Sequence, residues 1–188
     1  MNVLRLESTV FVLTMALAAP APGRAQAAPN PGDREALRAR YAQQDTAISH
    51  RDPRQFLSTL APDYTVILRD GQRFMRPGID SAITRDMRAT TAVRLVGTEL
   101  TQVARYGDTL VAVVVHRADR DLVDAQGRTH RFENGVKHEE RWMVWRGGWR
   151  IVQLRELDQL YLRRDGVDQM HRGQAPPDAS QDSAVAHR

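Results

Sequence analysis

The side chains able to move protons in this sequence fall into two groups by spacing. Tyr41 and Asp45 lie four residues apart in a stretch of helical periodicity, so they share one side of a helix. His138 and Glu140 lie two apart in a strand-patterned run that continues to Trp142, so all three share one face of a strand. A phenol and a carboxylate turned toward a common hollow form an acid/base set, and a histidine beside them can shuttle protons near neutral pH. A simpler reading stays open for each. Asp45 has Gln43 and Gln44 as neighbours, which suits a solvent face, and Trp142 is of a type that often fills a core.

The second group sits in His138–Leu157, a stretch that holds all three tryptophans within eight residues. Gly147-Gly148 between runs of Trp, Met, Val and Ile reads as a two-residue hairpin turn. A tight turn there pairs Trp142 with Gln153 and Glu140 with Arg155 on one face, leaving Trp145, Met143, Val152 and Leu154 on the other. The first face is expected to line a cavity, with Arg155 keeping Glu140 ionised; the alternative is an ordinary surface ion pair. No metal site is expected. His130 and His138 are eight residues apart on one strand, about 26 Å, and a two-residue turn at Gln126-Gly127 puts His116 on the opposite face. Cysteine is absent, which excludes thiol nucleophiles and thiolate metal sites. Neither a phosphate-binding glycine loop nor a Ser-His-Asp order is present.

The elements that must position these groups follow from periodicity. Residues 1–27 read as a signal peptide: Arg5, an apolar run from Val10 to Ala19, Pro20 and Pro22, then Ala25-Gln26-Ala27. An uncleaved anchor is the alternative. Removing Arg5, Arg24 and Glu7 with it lowers the formal charge from +4 to +3. The many arginines alternate with Asp and Glu instead of clustering, so neither a nucleic-acid footprint nor, after cleavage, a membrane contact is expected. Residues 28–32 form a leader. Helices are expected from Asp33 to about Arg51, from Pro53 to Leu60 and from Ile79 to Thr90. A strand over Tyr64–Arg69 carries Tyr64, Val66 and Leu68 on one face, with a short return strand at Gln72–Met75. Long strands then run over 94–106, 109–123, 128–145 and 149–157. The domain therefore spans 33–158. Residues 159–188 form an extension whose tail has little to bury and is expected to be disordered.

Helices first and long antiparallel strands afterwards is an α+β order. Three phrases, the run Arg40–Val66 with Leu60-Ala61-Pro62-Asp63-Tyr64, the strand-turn-strand Ala104–Val111, and the closing Trp149-Arg150-Ile151-Val152, resemble the NTF2-like superfamily in its SnoaL-like and ketosteroid-isomerase-like branch. The resemblance implies a cone: three N-terminal helices packed on a strongly curved antiparallel sheet around an internal cavity. It also implies a general-base aspartate late in the first strand. Leucine, Leu68, stands there, which argues against steroid isomerisation by that base.

The expected pocket is lined by Tyr64, Val66, Leu68, Glu140, Trp142, Gln153 and Arg155, with Tyr41, Asp45 and His138 as candidate catalytic groups. Two functions follow. One is an exported, periplasmic or secreted module that binds a small molecule or assembles as a homodimer through the outer sheet face. The other is a lyase, isomerase or cyclase that needs no cofactor.

Overall fold

The computed structural model describes residues 29–170; the expected signal peptide and residues 171–188 of the expected tail lie outside them. Helix α1 (Pro31–Ser49) starts on Asn30, not on Asp33. The Asn30 side chain accepts from the Asp33 N–H at 2.8 Å, and the Asp33 carboxylate accepts from the Asn30 N–H at 3.1 Å. This reciprocal cap, with proline in the first turn, draws the expected leader into the helix. Asp33 also takes both arms of Arg105, which fixes the start of α1 to the sheet.

Helix α2 (Pro53–Leu57) is capped by Asp52 and ends three residues before the expected Leu60, which instead opens β1 (Leu60–Ile67). Pro62 is tolerated there because the pairing of β1 shifts register between Leu60 and Thr65. Strand β2 (Arg73–Met75) returns along β1, and α3 (Arg76–Ala89) follows. Arg76 donates to the carbonyls of Leu57, Leu60 and Ala61, tying α3 to the α2–β1 junction.

Strands β3 (Thr90–Tyr106), β4 (Thr109–Val123), β5 (Thr129–Trp145) and β6 (Gly148–Arg164) form an antiparallel meander, and β7 (Val167–Asp168) turns back on β6. The sheet order is β2-β1-β6-β5-β4-β3. It is mixed where an antiparallel sheet was expected, because β1 lies parallel to β6. Strand β6 runs seven residues past the expected end at Leu157, so the first part of the expected extension, ahead of its tail, is sheet. The core joins Leu37 and Tyr41 of α1 to Leu110, Ala112 and Val114 of β4, Trp142 of β5 and Ile151 of β6. The helices thus pack over one face of a mixed sheet, an α+β arrangement. Among the described residues no helix is long and apolar enough to cross a membrane.

Two local departures from the expected register decide which side chains reach that face. The β5–β6 turn is at Arg146-Gly147, both in the left-handed region (φ 49° and 76°), so Trp145 pairs with Gly148. A Cβ at Gly148 would meet only the guanidinium end of Arg40, a flexible side chain that can move aside. A bulge between Arg141 and Trp142 then sets Trp142 opposite Ile151 but Glu140 opposite Leu154. At the other end of β5, Asp124–Arg128 is a five-residue loop instead of a two-residue turn, so Val123 pairs with Thr129 and His116 with Val136. The parity of β4 against β5 is opposite to the one expected.

Candidate functional site

On the helix-covered face of β4 and β5, cross-strand neighbours run Leu110/Trp142, Ala112/Glu140, Val114/His138 and His116/Val136. His116, expected on the opposite face, therefore stands diagonally beside His138, and both point toward Glu140. The ring centroids of the two histidines are 5.4 Å apart. His116 Nε2 and His138 Nδ1 each lie 3.9 Å from Glu140 Oε1.

Glu140 is only 1% exposed. Its Oε2 accepts from the Tyr41 hydroxyl at 2.8 Å and from the Trp142 indole N–H at 3.2 Å, and the same indole N–H lies 3.1 Å from the Tyr41 oxygen. Two donors hold one oxygen and leave the other to the histidines. Burial raises the Glu140 carboxyl to about 7 even though both hydrogen bonds oppose the shift. Burial also lowers His116 to about 4 and His138, with help from His116, to about 3. The Tyr41 hydroxyl is raised by burial and by Glu140 beside it.

Asp45 supports this cluster from behind. Its two oxygens accept from the Thr98 N–H at 3.1 Å and the Thr98 hydroxyl at 2.8 Å. Thr98 sits opposite His116 in the β3–β4 pairing, with its hydroxyl oxygen 2.8 Å from His116 Nδ1. A hydroxyl has one hydrogen, and here it goes to Asp45, so Nδ1 must carry the hydrogen of the other bond. Neutral His116 is thereby held in the tautomer whose bare Nε2 faces Glu140.

The hollow in front of the cluster has a volume of about 200 Å³ and is walled by Tyr64, Leu60, Ile151, Leu154, Phe56 and Ile48. Its polar members are Gln44, His116, Arg117, Arg120, Asn134, His138 and Glu140. Among the described residues, three buried side-chain atoms lack a hydrogen-bond partner: Gln44 Oε1, Arg120 Nε and His138 Nδ1. All three belong to residues lining this one hollow.

Of the expected site residues, Tyr64, His138 and Glu140 line the cavity. Trp142 and Tyr41 stand behind Glu140 as its donors, fully buried, and Asp45 acts through Thr98. Val66 packs partly buried against the core. Three expectations are corrected. Leu68 leaves the strand and lines a separate hollow with Arg69, Asp70 and Glu156. Gln153 and Arg155 face away because the bulge shifts β6: Arg155 pairs with Glu139, and Leu154, expected on the outer face, takes the cavity position opposite Glu140. The expected Glu140–Arg155 pair does not form, so Glu140 has no guanidinium to hold its charge.

The sequence reading missed Gln44, Thr98, Arg120 and Asn134. Gln44 carried a usable signal, since it falls three residues after Tyr41 and seven after Leu37 on the buried stripe of α1.

No known family model matches this chain, and no curated protein matches it in sequence. Solved structures do match its fold. An NTF2-like protein from Cytophaga hutchinsonii aligns with a TM-score of 0.52 at 17% identity, covering 65% of this chain and 95% of that one. The Kfla4162 protein from Kribbella flavida gives 0.58 at 13% identity, covering 70% and 93%. The hexachlorocyclohexane dehydrochlorinase LinA-type3 from Novosphingobium barchaimii gives 0.54 at 11% identity, covering 71% and 90%. At such identities the likeness establishes the fold, which is NTF2-like, a fold shared by proteins of different function.

Proposed function

We propose that this protein is an enzyme that moves a proton on a small, partly apolar molecule held in the cone, as a lyase or isomerase. The observation that carries the reading is the gathering of all three unpartnered buried polar atoms of the described residues around one hollow. Unpaired buried polar groups cost stability, and a ligand that pairs with them recovers it. The site offers a donor at Arg120, an acceptor at Gln44 and the unpaired Nδ1 of His138, set in apolar walls, which is the usual make-up of a small-molecule pocket.

His116 is the base. The Asp45–Thr98 relay fixes its tautomer, and Nε2 takes the proton from a substrate carbon. The C–H electron pair then either expels a leaving group, giving a lyase, or is reprotonated elsewhere on the substrate, giving an isomerase. Glu140 Oε1 faces the imidazolium so formed. A dehydrochlorinase with this fold offers a precedent for lyase chemistry in such a cone.

The test has two stages. Small amphipathic molecules are screened for a rise in melting temperature, since a ligand of the folded state alone stabilises it. Hits are then incubated with the protein in heavy water and followed by NMR. Deuterium uptake or loss of a leaving group, reduced about 10²- to 10⁴-fold by His116→Gln without loss of binding, is the expected result. Hits that bind and show neither would make the protein a binding module. The exposed Met143 and Trp145 near the β5–β6 turn favour a second reading, assembly through the outer face after export. A monomer in sedimentation, unchanged by Trp145→Glu, would remove it.

A further inference from the structure

We propose that His116 Nε2, His138 Nδ1 and Glu140 Oε1 form a site for a divalent transition-metal ion, open on the cavity side. The argument is one of lone pairs. His116 presents a bare Nε2 because its Nδ1–H is committed to Thr98 and, through it, to Asp45. His138 Nδ1 is buried and has no hydrogen-bond partner. Glu140 Oε2 is saturated by Tyr41 and Trp142, which leaves Oε1 as its free oxygen. Three potential ligand atoms thus converge, all within 4.8 Å of one another. Ligands about 2.1 Å from one ion stand roughly 3.0–3.4 Å apart, so the side chains must draw in by about an ångström.

The surroundings match those of a working metal ligand set. A ligating histidine usually passes its other N–H to an oxygen that fixes the ring, and a ligating carboxylate is usually held at its second oxygen. Thr98–Asp45 does the first for His116, and Tyr41–Trp142 does the second for Glu140. Two imidazoles and one carboxylate select zinc, iron or a neighbouring first-row ion over calcium or magnesium. Three protein ligands also leave coordination positions for water or substrate on the side facing the hollow.

This inference goes beyond the acid/base reading and does not rest on it. An ion and a proton compete for the same Nε2, so an ion bound there would withdraw His116 from proton transfer.

The full chain is stripped with a chelator and titrated with Zn²⁺ by calorimetry and with Co²⁺ by visible absorption, without any substrate. The expected result is one ion per chain, a Co²⁺ spectrum of low coordination number, and a melting temperature that rises with ion concentration. His116→Gln and His138→Gln should each abolish stoichiometric binding. Thr98→Val, which touches no ion, should weaken it about 10- to 100-fold. His130→Gln, at the separate cluster with Asp124 and Asp165, should leave binding unchanged. Absence of stoichiometric binding in the folded wild-type chain would overturn the proposal and leave the three atoms to a water or a proton. Binding that survives both cavity variants or disappears in His130→Gln would overturn it as well.

Discussion

Glu140 is held at one oxygen by two donors from different elements, and those donors also meet each other. Tyr41→Phe removes the hydroxyl at the centre of that triangle while keeping the ring that packs edge-on to Trp142 at 5.3 Å. The carboxylate keeps the indole N–H but loses its shorter bond in a fully buried place. Tyr41→Phe should therefore cost about 1–3 kcal/mol, measurable as a lower urea midpoint with an unchanged slope. At this scale the sequence was informative within a single strand. The two-residue period placed His138, Glu140 and Trp142 on one face, and they share it. It failed wherever membership depended on a neighbouring strand. One residue of register at the β4–β5 loop decides the face of His116, and a bulge that apolar alternation does not announce sets Leu154 in place of Arg155 opposite Glu140. Thr98 is invisible for the same reason, because bulges interrupt the β3–β4 register on both sides of it.

Among the elements, α1 depends on its first turn. Asp33 serves there as both cap partner and anchor to Arg105, and the guanidinium is the main reason its carboxyl is held below the usual range. Its contribution to stability is therefore complete above the ordinary carboxylate pKa of about 3.9 and fades as pH falls through the lowered value of the folded state. Asp33→Asn should melt earlier than the parent near neutral pH, by the equivalent of about 1–3 kcal/mol, and the gap should close in acid. Melting curves of both proteins between pH 2 and 7 check this; a gap that persists at the acid end would be evidence against the ion pair. Strand β5 offers a second test. A Cβ on Gly135 would fall 2.5 Å from the Tyr161 ring carbon Cε1, beside a register shift between Gly135 and Val136. Gly135→Ala should destabilise by about 1–3 kcal/mol because the ring must leave its place over the strand. The double change with Tyr161→Ala should recover part of that loss, as a double-mutant cycle would show.

For the molecule as a whole, the helix and strand order was readable because a short strand pair interrupts the helices at 60–75 and the pattern is alternating throughout after residue 90. The place where the sheet ends was not. Residues 159–164 fall outside the expected domain, yet they pair with Phe132–Val136 and lengthen the sheet. A chain stopped after Asp158 strips β5 of that partner, and the contacts of Asp165 with His130 and the Arg131 N–H go with it. Such a chain should unfold at lower temperature than the full one and should aggregate through the bared edge of β5, visible as light scattering on heating.

The five-residue loop Asp124–Arg128 has a consequence at the level of the gene. Asp124 stitches the loop shut through the N–H groups of Gln126 and Arg128 and the side chain of Arg128, so its length is built in. A deletion of one codon there changes no residue of the cavity, yet a pairing that slips by one residue to follow it would turn the two histidines to opposite faces. Such a slip would break up the cluster without any substitution. A comparison of relatives that tracked only the identities of His116, His138 and Glu140 would miss the change, whereas the count of residues between the two histidines would record it.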